Sequence, residues 1–237
     1  MTQAALQQLR RAADSAQRIT KLFIDDPRQL RYLARWWPDR RASEFVTRHI
    51  PWLTYGATDW LATVVGPASR VFEFGSGGST FFFLDLGASV TSVEHEAAWH
   101  ARVAAALPAE ARARAVLRLV EPRPPAPGES DRAYVSAKFD GVPRDYESYA
   151  RSIDAEPDGS FDLVLVDGRA RVACVRHARA KVRPGGYLVL DDSSRPEYAA
   201  IPVLLAGWLC RRFSGLGPGK RLPAETASWG RPVAARA

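Results

Sequence analysis

At 237 residues, with 46% hydrophobic and 25% charged positions, the chain has the size and make-up of one substantial α/β domain with an appendage. No apolar run approaches the roughly 20 residues needed to cross a bilayer. The start, Met1-Thr-Gln-Ala-Ala-Leu6, lacks a signal peptide's apolar core, and two cysteines, Cys174 and Cys210, make neither a disulfide framework nor a zinc site, so a cytoplasmic protein without a membrane partner is expected. The net charge of +7 comes largely from arginine, but the basic residues are scattered rather than gathered into a run with interleaved aromatics, so nucleic acid is not the expected partner.

Residues 3 to 48 read as helical, with Leu6, Leu9, Ala13, Ala16 and Ile19 near helical spacing and breaks at Pro27 and Pro38. This part is too short and amphipathic to stand alone, so residues 1–49 are expected to cap a domain formed by 50–237. An aromatic loop, Pro51-Trp52-Leu-Thr-Tyr55, leads into a helix from Thr58 to about Val65. From Arg70 strand and helix patterns alternate, with strands expected at 70–74, 89–94, 114–120, 161–167 and 185–191 and helices at 78–87, 96–106, 169–183 and 195–211. That rhythm argues for a parallel sheet with crossover helices. Pro184-Gly185-Gly186 reads as a turn re-entering the sheet, and the stretches beginning at Phe213 and Glu225 as closing antiparallel strands. Residues 121–158, rich in Pro, Gly and charge, interrupt the pattern as an insertion, read either as a lid over the site or as a mobile segment with no role.

The most informative stretch is Val71-Phe-Glu-Phe-Gly-Ser-Gly-Gly-Ser-Thr80, followed by a second strand ending on Glu94, 21 residues beyond Glu73. Glycines let a turn approach a ligand closely, and the helix behind it offers free N–H groups. A dinucleotide fingerprint would put a third glycine where Thr80 stands, and a carboxylate at Glu73 would repel a pyrophosphate. A cofactor with a cationic amino-acid end would accept it. Glu73-x-Gly75-x-Gly77 resembles motif I of the class I S-adenosylmethionine-dependent methyltransferases, with Ser79 in place of the last glycine. Glu94 is similar to that family's ribose-binding acid. The resemblance implies a Rossmann-like, seven-stranded, mostly parallel sheet in three layers with the N-terminal helical cap. It also implies a cofactor site made by Glu73, Gly75, Ser76, Gly77, Ser79, Thr80, Glu94 and His95.

Ligands in open α/β sheets bind at the carboxyl ends of the strands. Asp167 ends the fourth strand and Asp191-Asp192 the fifth, and three neighbouring carboxylates require a cation, a proton or an arginine among them. Strand ends of this kind resemble the catechol-type O-methyltransferases, which would make Asp167, Asp191 and Asp192 ligands of a divalent cation such as magnesium. The lysine those enzymes place three residues after the first aspartate is Ala170 here, so that role is not carried over. Without a metal, the same aspartates are the candidates for catalytic work, with His177 a further candidate base. Arg169 and Arg171 either hold an anionic substrate or neutralise the aspartates. Trp52 and Tyr55 either line the pocket or pack the cap, and Phe81-Phe-Phe83 reads as core. Stretches between about residues 50 and 230 are similar to bacterial methyltransferases of mostly unassigned substrate. The expected activity is methyl transfer to oxygen of a small molecule: a sugar, a phenol or a natural-product intermediate. A homodimer is left open. The alternatives are an RNA methyltransferase, although no Asn/Asp-Pro-Pro-aromatic motif is present, and a cofactor-binding regulatory protein without catalysis.

Overall fold

The computed structural model describes residues 3–40, 44–126, 132–137 and 141–233. The N-terminal segment forms α1 (Gln3–Asp25), a 3-10 turn (Pro27–Tyr32) and α2 (Leu33–Asp39), with Pro38 inside the last turn of α2 rather than ahead of a new helix. Tyr32 and Trp36 from this segment pack on Tyr55 of α3 (Tyr55–Val64) and on Leu216. Among the described residues no helix is long and apolar enough to cross a membrane.

The sheet has seven strands: β1 (Arg70–Phe74), β2 (Ser89–Glu94), β3 (Ala115–Leu119), β4 (Phe161–Val166), β5 (Val182–Leu190), β6 (Leu209–Gly215) and β7 (Ala224–Gly230). Their order is β3-β2-β1-β4-β5-β7-β6, with β7 antiparallel to both its neighbours and the rest parallel. The fold is therefore Rossmann-like. Side chains alternate across the pleat, so Phe72, Phe74, Val164 and Val166 face one layer while Val71, Leu163 and Leu165 face the other. The first layer holds α7 (Arg171–Ala178) and the second holds α3 and α4 (Gly78–Asp85). With helices on both faces, β1 and β4 are buried on both sides, which suits their largely apolar runs, interrupted by Glu73 and Asp162. The chain winds outward from β1 to β3 and then returns to lay β4 beside β1. That reversal opens a crevice at the strand tips.

Three elements depart from the sequence expectation. The helix expected at 169–183 stops at Ala178, and β5 starts at Val182, so Pro184-Gly185-Gly186 lies within the strand. Gly185 takes φ +77 there, and the pairing slips between Phe161 and Leu163. The helix expected at 195–211 is replaced by a 3-10 turn (Pro196–Tyr198), a four-residue helix (Ile201–Leu204) and β6. Pro196 and Pro202 each occupy a first-turn position, where a helix tolerates them without losing a hydrogen bond, and Gly207 at φ +84 ends the run. Pairing with β7 from Leu209 to Gly215 then fixes the strand. In the insertion, Val135–Ala137 and Pro143–Asp145 pair as a small antiparallel ribbon. The following helical segment, α6 (Glu147–Ala150) and a 3-10 turn (Arg151–Ile153), belongs to the core: Tyr146, Tyr149, Ala150 and Ile153 are fully buried beneath the sheet.

Candidate active site

β1 feeds directly into the glycine turn. Gly75 takes φ +97, donates its amide to Val93 O at 2.8 Å, and lies so near the β4 tip that an added Cβ would come within 3.1 Å of Gly168 Cα. Only glycine meets both demands. Gly78, first residue of α4, is equally constrained, because a Cβ there would collide with the Ile50 carbonyl. The motif pattern gave no sign of this, since the obstacle comes from a loop outside it.

Glu73 and Thr80 lie behind this turn and do not line the cavity. Ser79 Oγ donates to Glu73 Oε2 at 2.7 Å, Thr80 Oγ1 donates to Glu73 Oε1, and the Gly77 amide donates to Thr80 Oγ1 at 3.0 Å. Complete burial pushes the Glu73 carboxyl up to about 7, although the hydroxyls of Thr80, Ser79 and Ser92 pull the other way. Instead of facing a ligand, Glu73 bolts the start of α4 to the end of β1.

Glu94, at the tip of β2, does line the cavity. Its Oε2 accepts from the Ser76 amide at 3.0 Å and the Ser76 hydroxyl at 3.1 Å. Its Oε1 accepts from the amides of His95 at 2.8 Å and Glu96 at 2.9 Å. Burial raises this carboxyl, but the His95 ring and these amides outweigh it and hold the group below its ordinary range. The His95 ring meets Tyr146 and Tyr149 edge-on at 5.6 and 5.7 Å, and its buried Nε2 has no partner among the described residues. The Trp99 indole, on α5 (Ala97–Ala106), donates to Ser76 O at 2.7 Å and closes that side of the turn.

Across the crevice, the three aspartates meet three cations. Arg171 donates to Asp167 Oδ1 at 2.9 Å, to Asp167 O at 3.0 Å, to Gly168 O at 3.0 Å and to Asp191 O. Lys220 Nζ bridges Asp191 Oδ2 at 2.6 Å and Asp192 Oδ1 at 2.9 Å. Thr226 donates to Asp191 Oδ1 at 2.8 Å, and Arg195 holds Asp192 Oδ2. Burial and the nearby Asp191 push Asp167 up to about 7 against the pull of Arg171 and Lys220. Lys220 holds Asp192 below its ordinary value despite burial. Two non-glycine residues here, Ala170 at φ 47 and Asp192 at φ 52, adopt left-handed backbone, a strained conformation that clusters at working sites.

Lys220 was not legible in the sequence. It stands on the loop after β6, fixed by N-terminal helix residues: the Trp36 indole donates to Lys220 O at 2.8 Å, and the Gly219 amide to Asp39 O at 3.0 Å. The available hint was that a Gly-Pro-Gly stretch presents one of only four lysines among 33 basic residues. Its presence corrects the metal expectation for Asp167, Asp191 and Asp192. Among the described residues no group of three acidic, histidine or cysteine side chains is arranged to hold a metal ion. The repulsion a magnesium ion would relieve is already met by Arg171, Lys220 and Arg195.

A cavity of about 970 Å³ joins the two halves, running from Gly75, Gly77, Glu94 and His95 to Asp167, Asp191 and Lys220. Trp52 lines it, whereas Tyr55 packs against the N-terminal helical segment with its hydroxyl on Asp39 at 2.9 Å. His177 is off the cavity, bonded to Asp154 at 2.8 Å and Tyr134 at 2.9 Å, which removes it as a candidate base. The pattern of a family described as a methyltransferase domain matches residues 72–193, which span both halves of this crevice. The chain belongs to that family. It is an S-adenosylmethionine-dependent methyltransferase. No curated protein matches the chain. Among solved structures, the methyltransferase is similar to a methyltransferase-like protein of Silicibacter pomeroyi, at 28% identity and TM-score 0.48 over 78% of this chain and 92% of that one. A protein of Agrobacterium tumefaciens titled a predicted O-methyltransferase gives 21% identity and TM-score 0.43, over 74% and 86%. An rRNA methylase of Streptococcus thermophilus, at 13% identity and TM-score 0.50 over 75% and 95%, shares the fold of the methyltransferase.

Proposed function

We propose that the methyltransferase acts on a hydroxyl oxygen of a small molecule, such as a sugar, a phenol or a natural-product intermediate, with Asp167 as the base. One observation carries this reading. Of the aspartates at the β4 and β5 tips, Asp191 and Asp192 have both carboxylate oxygens engaged by Thr226, Lys220 and Arg195. Asp167 gives only Oδ1 to Arg171, and among the described residues nothing donates to its Oδ2, while a fifth of its side chain is open to the cavity. The engaged pair is then a scaffold rather than part of the chemistry.

The residues of the other half fit S-adenosylmethionine. A satisfied but cavity-facing carboxylate at Glu94 suits ribose hydroxyls, which can take over the place of the Ser76 hydroxyl. The unpartnered His95 Nε2 suits a polar edge of adenine, and the Gly75–Gly77 turn leaves backbone uncovered beside it. When bound, the cofactor supplies a methyl group activated on a sulfonium. The protein's part is to align an acceptor oxygen with it and to take the hydroxyl proton at Asp167 Oδ2. A carboxyl pushed up to about 7 is matched to that task near neutral pH. Residues 1–49 serve this site as a cap that holds the Lys220 loop, and the ribbon of the 121–158 insertion serves as a wall of the cavity.

The test is Asp167→Asn, read by S-adenosylhomocysteine release over a panel of hydroxylated acceptors. Turnover should fall by about 10²–10⁴ with S-adenosylhomocysteine affinity retained. The wild-type kcat/KM should rise with pH to a plateau above about 7. Full activity in the variant, or a wild-type rate flat across that range, would remove Asp167 as the base.

A further inference from the structure

We infer that the acceptor carries an anionic group, a carboxylate or a phosphate, received by Arg169. This rests on the methyl-transfer reading above and adds the class of acceptor to it. Arg169 lies two residues past Asp167, in the turn joining β4 to α7, and lines the cavity half-buried. The other cations of this wall are spent. Arg171 is held by Asp167 and three backbone carbonyls, Lys220 by Asp191 and Asp192, and Arg195 by Asp192 with Glu197 at 3.9 Å. Among the described residues no acid, carbonyl or aromatic ring takes the Arg169 guanidinium. Nor does any take Arg132, which lines the cavity from the ribbon.

A guanidinium offers five donors and cannot lose its proton, and here it faces the cavity with only solvent to receive it. A neutral phenol or sugar would meet it with uncharged hydroxyl oxygens alone. A carboxylate or phosphate on the acceptor adds opposite charge and a two-pronged contact, the geometry that arginine favours over lysine. The location also suits a handle rather than a catalytic group. The turn is pinned, with Gly168 packed against Gly75 and Ala170 in left-handed backbone. An anion held at Arg169 therefore sits at a fixed remove from Asp167, and the acceptor hydroxyl is presented to the base by the length of the molecule between them. Arg169 is in this sense a specificity-determining residue.

The experiment uses the full chain with ¹⁵N-labelled arginine, the Arg169 Nε–Hε resonance being assigned by its disappearance in Arg169→Gln. S-adenosylhomocysteine is added to saturation, followed in separate titrations by sodium acetate and inorganic phosphate. The expected result is a saturable shift at Arg169 with at least one anion, about tenfold tighter than any shift at the exposed Arg112. The tighter of the two anions identifies the acceptor's group. Arg169→Gln should abolish the anion effect on neighbouring resonances while leaving S-adenosylhomocysteine affinity unchanged, and Arg169→Lys should restore it in part. No saturable shift with either anion overturns the inference. So does occupation of Arg169 by S-adenosylhomocysteine itself, which would make it the partner of the cofactor's own carboxylate. Failure of the underlying reading looks different: S-adenosylhomocysteine does not bind at millimolar levels, while the anion titrations still report on Arg169 in the free protein.

Discussion

Replacing Glu73 with glutamine separates two roles for the first acid of the glycine motif. The carboxyl is fully buried and its proton affinity is raised from 4.5 to about 7. A folded-state value above the unfolded one means the native protein binds the extra proton. The associated stability is therefore complete below about 4.5 and is lost as pH rises through about 7. Each unit of difference corresponds to about 1.4 kcal/mol, so ionising Glu73 inside the protein costs about 3 kcal/mol once pH is well above 7. Between pH 5 and pH 8 the wild type should lose about 2 to 3 kcal/mol through this group alone. Glutamine keeps the shape and can still pair with the hydroxyls of Ser79 and Thr80, but it does not titrate. Urea unfolding of both proteins at the two pH values, with equal slopes as the check on two-state behaviour, gives the double difference directly. Asp167 titrates in the same window but is common to both proteins and cancels. The variant should gain about 2 to 3 kcal/mol on the wild type in going from pH 5 to pH 8, with S-adenosylhomocysteine binding unchanged. A stability difference independent of pH, together with a loss of affinity, would show a charged carboxylate facing the cofactor and would refute the anchoring role.

Glu94→Ala should weaken S-adenosylhomocysteine binding by about 1–3 kcal/mol in a calorimetric titration, the cost of leaving hydroxyls unpaired; equal affinity would remove Glu94 from the site. Lys220→Met strands the carboxylates of Asp191 and Asp192 and should destabilise the fold by about 3–5 kcal/mol at neutral pH. Because Lys220 depresses Asp192, the pair's contribution is present above the unfolded carboxylate value and fades as pH falls through the folded one; a loss that does not shrink in acid unfolding would contradict the pairing. Prolonged treatment with a chelator should leave turnover unchanged, since Arg171, Lys220 and Arg195 already compensate the aspartates. Activity that falls and returns on adding magnesium would restore the metal reading.

Much of the scaffold was written locally. The strands from β1 to β4, the glycine turn and the acids at the strand tips follow from short-range rules, because apolar runs and glycine-rich turns constrain the few residues that contain them. The closing antiparallel pair is expected from Phe213 and Glu225, but the first residues of β6 are not: Leu209 to Arg211 read as the end of a helix, and pairing with β7 makes them strand. The limit of local information is clearest where a side chain's role depends on a distant partner. Glu73 looked like a ligand until the Ser79 and Thr80 hydroxyls were seen to turn it inward, and the aspartate cluster looked like a metal site until Lys220 arrived from 29 residues beyond Asp191.

The sequence by itself determined the strand–turn–helix that suits a sulfonium cofactor and the enrichment of acids at the carboxyl edge of the sheet, since both are properties of consecutive residues. Only the tertiary structure decided which of those acids remain free to act. Charge compensation depends on which cations the folded chain brings within about 3 Å. Arg171 and Arg195 stand within four residues of their aspartates, but Lys220 comes from far along the chain, and sequence alone does not say which of Arg169 and Arg171 is taken. Folding spends Arg171, Lys220 and Arg195 on the aspartates, leaving one oxygen of Asp167 and the guanidinium of Arg169 facing the cavity.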